Sequence, residues 1–209
     1  MRTATFAVAA ASIRSLIIAG VIVFIPLPRS VLIVALAAAA ALLFAGCGHK
    51  GTASVTNHNA ADIAFATNMI PHHRQAVAMA NLAPSRAASA KVKALALQIK
   101  AAQDPEIALM SGWLKTWSRP VPSGTMAPEG HDMSGMMADQ DMTKLAASSG
   151  PEFDRMFLAM MIDHHQGAID MAHAEERDGT NVGAQKLAKT IANAQSGEID
   201  EMKKLQQSN

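Results

Sequence analysis

Apolar residues from Asn59 onward return every three or four positions and nowhere alternate with a strand's period of two, so the chain predicts helices throughout. Ile63, Ala66, Met69, Ile70, Val77 and Ala80 mark one face of a first helix, with Pro84 as its stop. Val92, Leu95, Ile99, Ile107, Met110 and Leu114 mark a second, from about Ser85 to Trp117, ahead of Pro120. Ser149-Gly150-Pro151-Glu152 opens a third: a capping candidate, then a proline in the first turn, where its missing N–H costs nothing. That helix runs to about Asp178, with Gly179 as its stop, and a fourth covers roughly Val182 to Gln206. Pro71 and Pro105 fall inside helical pattern, each removing one backbone donor at a cost of about 3 kcal/mol unless compensated.

The pattern is written twice. Met69-Ile70-Pro71-His72-His73 followed by Met79-Ala80 recurs as Met161-Ile162-Asp163-His164-His165 followed by Met171-Ala172, 92 residues later. The register holds without a gap at Asp62/Asp154, Phe65/Phe157, Leu95/Leu187, Ile99/Ile191, Gln103/Gln195, Glu106/Glu198 and Met110/Met202. Each copy is an α-hairpin with one apolar face, and two such faces bury each other as a four-helix bundle. The expected fold is therefore all-α. A bundle spans 59–208, with repeat 1 at about 60–118, a Met-rich linker at 119–149 and repeat 2 at about 150–206. Within the linker, Asp139 to Ala147 forms at most a short helix.

The N-terminus is organised differently. Two apolar runs, Leu16 to Leu27 and Val31 to Ala45, are each shorter than the ~18–20 residues of a spanning helix. Arg29, the second run and Phe44-Ala45-Gly46-Cys47 have the anatomy of a signal peptide ending in a bacterial lipobox, with Phe44 where leucine is usual. On this reading residues 1–46 are removed, Cys47 carries lipid, and 47–58 is a Gly/Ser/Thr-rich tether to the membrane. The alternative is an uncleaved membrane anchor. Cys47 is the chain's one cysteine, so there is no disulfide framework and no thiol-based zinc site. Residues 1–46 hold three arginines and no acid, leaving 15 basic and 17 acidic residues beyond them. That near-neutral balance, with two tryptophans and no tyrosine, offers nothing for nucleic acid.

Methionine is the outlier, with 14 in the chain and twelve of them between Met69 and Met171. Thioether sulfur is soft and selects Cu(I) over hard cations, and it survives where thiols oxidise. Residues three, four or seven apart share a helix face, so Met69 and Met79 flank His72 and His73, and Met161 and Met171 flank His164 and His165. His173 extends the second wall. Adjacent helical positions diverge by about 100°, so one histidine of each pair is expected to face inward and the other to lie nearer the surface. Gln103, Glu106, Gln195 and Glu198 repeat on the partner helices, where they could orient the imidazoles. His131, Met133, Met136 and Met137 lie in the linker, which has little core to fill, and are candidates for an auxiliary metal site. A core packed with His and Met but free of metal, as in a structural or interaction bundle, remains the alternative. A ferritin-type di-iron enzyme fits less well, because three residues before each paired histidine stand Met69, Ile70, Met161 and Ile162 in place of glutamate. His-Glu-x-x-His, Gly-x-Ser-x-Gly and phosphate-cradling loops are absent, so the residues argue for a binding protein rather than an enzyme.

The doubled Met-Ile-x-His-His…Met-Ala motif, Phe153-Asp154-Arg155-Met156-Phe157-Leu158 before its second copy, and Gln-x-x-Glu-Ile-x-x-Met on the partner helices resemble domain-of-unknown-function family 305, the CopM-like proteins. The resemblance runs from about Asp62 to Met202. It implies a ferritin-like four-helix bundle and extracytoplasmic copper binding through His and Met, linked to copper resistance. A copper transporter or oxidase is the partner class that would follow. Pro105 and Asn81, which stands where the second copy has His173, depart from the family pattern and imply unequal half-sites.

Overall fold

A computed structural model describes residues 57–125 and 133–208. The lipobox, Cys47 and the tether up to residue 56 lie outside the described residues, as does His131. Five helices follow in order: α1 (Ala60–Arg86), α2 (Ala90–Thr116), α3 (Asp139–Ala147), α4 (Gly150–Asp178) and α5 (Val182–Ser208). None of the described helices is long and apolar enough to cross a membrane. The four long helices form two hairpins, α1–α2 and α4–α5, and the short α3 bridges α1 and α4. The hairpins meet chiefly along α1 and α4, while α2 and α5 touch only lightly. The core between them holds Phe153, Phe157, Leu95, Ile99, Met110, Leu114, Leu158 and Met202, all buried.

The turn between α1 and α2 differs from the sequence expectation, with α2 beginning at Ala90 and not at about Ser85. α1 runs through Pro84 to Arg86, because a proline removes one donor without preventing Ala87 N–H from bonding the Ala83 carbonyl (3.0 Å). α4 does end at Gly179, but with φ −72°, not the left-handed value that favours glycine at a helix stop. What requires glycine there is space: a Cβ would stand 2.3 Å from Glu175 Oε1.

The duplication explains how the hairpins dock. Asp154 on α4 accepts hydrogen bonds from Ala88 N–H (3.1 Å) and Ser89 N–H (2.8 Å), at the start of α2 in the other copy. Its repeat mate Asp62 on α1 accepts from Thr180 N–H (3.2 Å) and Asn181 N–H (2.9 Å), at the start of α5. Each copy thus terminates a helix of the other, and a pseudo-two-fold axis relates the two ends. Asp62 also accepts from Asn59 N–H (2.6 Å), closing a capping box on its own helix. Beside it Glu175 is buried, and burial with the adjacent Asp62 carboxylate pushes its pKa up to about 9, so it keeps its proton at neutral pH. Removing a buried acceptor strands its donors at about 1–3 kcal/mol each. Asp154→Ala is therefore expected to cost about 2–4 kcal/mol, and Asp62→Ala more, because Asp62 satisfies more donors. Urea denaturation of both variants checks this; equal, sub-kilocalorie losses would show that the cross-caps do not hold the hairpins together.

Candidate metal centre

The paired histidines fall at the middle of α1 and α4, where antiparallel packing brings residue 72 level with residue 164. All four are buried, with 0% exposure, so the expected division into an inner and a surface histidine does not occur. The 100° divergence is resolved differently. His72 and His164 turn to each other across the α1–α4 seam, ring centroids 3.8 Å apart and tilted by 39°. His73 and His165 turn toward the second helix of their own hairpin. There His73 Nε2 donates to Glu106 Oε2 (2.7 Å) and His165 Nε2 donates to Glu198 Oε2 (2.6 Å). The two bonds are repeat mates, and each carboxylate fixes its imidazole's orientation. The part suggested by sequence for Glu106 and Glu198 is thus a visible contact.

Burial lowers the pKa of His72 to about 3, the neighbouring His73 adding to the effect and the Ser134 backbone opposing it. His164 is lowered well below the ordinary histidine value, first by burial and then by His72 and His165. Both rings are neutral at physiological pH, the form that ligates metals. Neither nitrogen of His72 or of His164 has a partner in hydrogen-bonding geometry, nor has Nδ1 of His73 or His165. Gln103 leaves both amide atoms unpaired and Gln195 its oxygen, again at matching positions. Buried polar atoms in folded proteins are nearly always paired, so this many orphans at one level of one bundle calls for an explanation.

The thioethers are distributed unequally. Met69, Met79 and Met161 are fully buried in the core on the histidine-bearing helices, Met69 and Met161 one turn before His72 and His164. Met171 is half-buried and lines a surface cavity with Phe65, Asn68 and Glu175, beyond the rings. His173 is exposed on α4, apart from the buried rings, as is its counterpart Asn81 on α1. No group of three His, Cys, Asp or Glu side chains is arranged to hold a metal among the described residues.

Sequence reasoning missed the way the linker returns to this site. Met137 N–H donates to Gln75 Oε1 (2.8 Å), and Gln75 Nε2 donates to the Met137 carbonyl (2.9 Å). Met133 to Met136 form a tight turn, Met136 N–H to Met133 O (3.2 Å), with Gly135 at φ +79°. Its tip presses on α4 at Gly167, where a Cβ would stand 1.9 Å from the Ser134 carbonyl oxygen. Met133, Met136 and Met137 are all half-buried. The one legible signal was a broken repeat: position 75 is glutamine where its mate 167 is glycine.

The fold agrees with solved structures. A DUF305 fragment from Deinococcus radiodurans is 28% identical, covers 72% of this chain and 98% of its own, and has a TM-score of 0.66. CopM in its Cu(I)-bound form is 34% identical, with coverages of 70% and 96% and a TM-score of 0.59. CopM in its Cu(II)-bound form is 36% identical over the same shares, with a TM-score of 0.61. Among curated proteins nothing matches. The family profile described as Domain of unknown function (DUF305) matches residues 62–206, from the first cross-capping aspartate to the last turns of α5, and this chain belongs to that family.

Proposed function

We propose that this protein is an extracytoplasmic, lipid-anchored copper-binding protein that sequesters Cu(I) or hands it to a copper transporter or oxidase. One observation carries the reading: four buried imidazoles and two buried amides, at matching positions of the two repeats, leave nitrogens and oxygens without hydrogen-bond partners, and two of the rings meet across the α1–α4 seam. A core built only for packing would place leucine there, since an unsatisfied buried polar group costs about 1–3 kcal/mol. His72 and His164 are the inner ligands on this reading, with Met69 and Met161 supplying sulfur from the preceding turn. Glu106 and Glu198 hold His73 and His165 with Nδ1 turned away from the carboxylate and open to a cation. The CopM structures with Cu(I) and silver support the choice of a soft ion, and the Cu(II) form supports copper more broadly. Membrane attachment through Cys47 rests on the lipobox pattern, and a DUF305 protein of Streptomyces coelicolor described as secreted is consistent with export.

Titrating the full-length protein with Cu(I) against a competing chelator is expected to show stoichiometric binding. A variant with His72, His73, His164 and His165 all replaced by leucine should bind at least about 100-fold more weakly, as removal of the nitrogen ligands of a soft-metal site would require. Equal binding by the two proteins would end the copper reading of this centre.

A further inference from the structure

The repeats differ where the linker crosses them. Position 167 is glycine, and the tip of the Met133–Met136 turn occupies the space its side chain would fill, with the Ser134 carbonyl oxygen 1.9 Å from the ideal Cβ position. Gly135 is equally constrained. Its φ of +79° suits glycine, and a Cβ on it would stand 2.7 Å from the Asp163 carbonyl oxygen and 2.9 Å from that of His164. The turn is thus seated on the backbone that carries His164. Gln75, three residues after His72 and nearly buried, latches the next residue by both its N–H and its carbonyl. Arg74 ties down the other end of the linker through the Pro122 and Gly124 carbonyls. Both anchors directly follow the His72-His73 pair, so the described parts of the linker on either side are tied to the turn of α1 just after it.

A tight turn brings its first and fourth residues together, and here those residues are Met133 and Met136. Both are half-buried: neither is committed to the core, unlike Met69 and Met161, nor fully in solvent. From this geometry we infer that Met133 and Met136 form a two-thioether capture site for a soft monovalent cation. The site lies on the outer side of the His72/His164 pair and loads it, with Gln75 as the latch that holds the turn in place. This rests on the copper reading above and adds a route to it. Met137 and Met142, the other half-buried thioethers of the described linker, pack against the core, which leaves Met133 and Met136 as its pair of uncommitted sulfurs.

The test compares loading rate with final occupancy. Full-length protein is mixed with Ag(I) or Cu(I) released from a chelator, and loading is followed by stopped-flow together with the final metal count. Met133→Leu/Met136→Leu keeps the volume and removes the sulfurs. It is expected to slow loading of the histidine centre about tenfold, the low end of what supporting groups contribute to metal sites, and to leave the histidine-bound ion in place at equilibrium. Gln75→Ala should loosen the turn and lower the capture affinity while leaving both sulfurs present, and Gly167→Ala should unseat the turn by direct collision. If the wild type binds metal and the double-leucine variant loads at the same rate with the same stoichiometry, the capture site is refuted and the copper centre stands. If the wild type binds no metal at all, the copper reading has failed first. Should Gly167→Ala not fold, the double-leucine variant still decides.

Discussion

Replacing His72 and His164 together by leucine is expected to raise the melting temperature of the metal-free protein while abolishing its response to copper. The two rings are wholly buried, tilted against each other, and hold no ring nitrogen in good hydrogen-bonding geometry, so the fold carries their desolvation with little return. Replacing two unsatisfied polar groups by apolar ones of similar volume removes that cost, about 1–3 kcal/mol for the pair. For a domain of this size each kcal/mol shifts the melting temperature by about 2–4 °C. Copper, in contrast, stabilises only a protein that binds it, by about 4 kcal/mol when free ion exceeds the dissociation constant a thousandfold. Wild type should therefore melt lower than the variant without metal and higher with it. A variant that is less stable in both conditions would mean the imidazoles are structural. A variant still stabilised by copper would move the binding site elsewhere.

The second large effect is a stability optimum in the metal-free protein near pH 6.5, with two flanks of different origin. His72 has its pKa lowered from 6.5 to about 3, and His164 is lowered well below 6.5. Below pH 6.5 the unfolded chain takes up protons at these positions that the folded chain refuses. Stability then falls as pH drops, by about 1.4 kcal/mol per unit for each ring, until His72 itself titrates near 3. Glu175 acts in the opposite sense, raised from 4.5 to about 9. From pH 4.5 upward the unfolded chain releases a proton that the folded chain keeps, so its contribution is lost as pH rises toward 9. Between 4.5 and 6.5 the two histidines outweigh the one glutamate, and above 6.5 only Glu175 remains. Denaturant titrations across pH 4 to 9 should trace this shape. Glu175→Gln should flatten the alkaline flank and leave the acid flank unchanged; an unaltered alkaline flank in that variant would overturn the assignment.

Helix periodicity, two hairpins and the duplication were legible in the chain because they are local or register properties. A buried face recurs every three to four residues whatever it packs against, and a 92-residue offset needs no coordinates. The candidate ligands were legible for the same reason, since Met and His at helical spacing share a face on any helix. The pairing of Glu106 with His73 and of Glu198 with His165 was half legible: the positions repeat, but only the hairpin's packing brings them to 2.7 and 2.6 Å. Tertiary structure alone decided that all four histidines are buried. A helical wheel gives the angle between neighbours but not the number of helices that surround them, and here each ring of a pair has a different helix to face. It also decided that His173 is exposed and Met171 half-buried, and that the Met133–Met136 turn is seated on the backbone of His164 and Gly167. Those contacts join residues 33 and 62 positions apart through a glycine-sized gap at Gly167 and a glutamine latch at Gln75, and nothing in local periodicity encodes which surface a linker will cover.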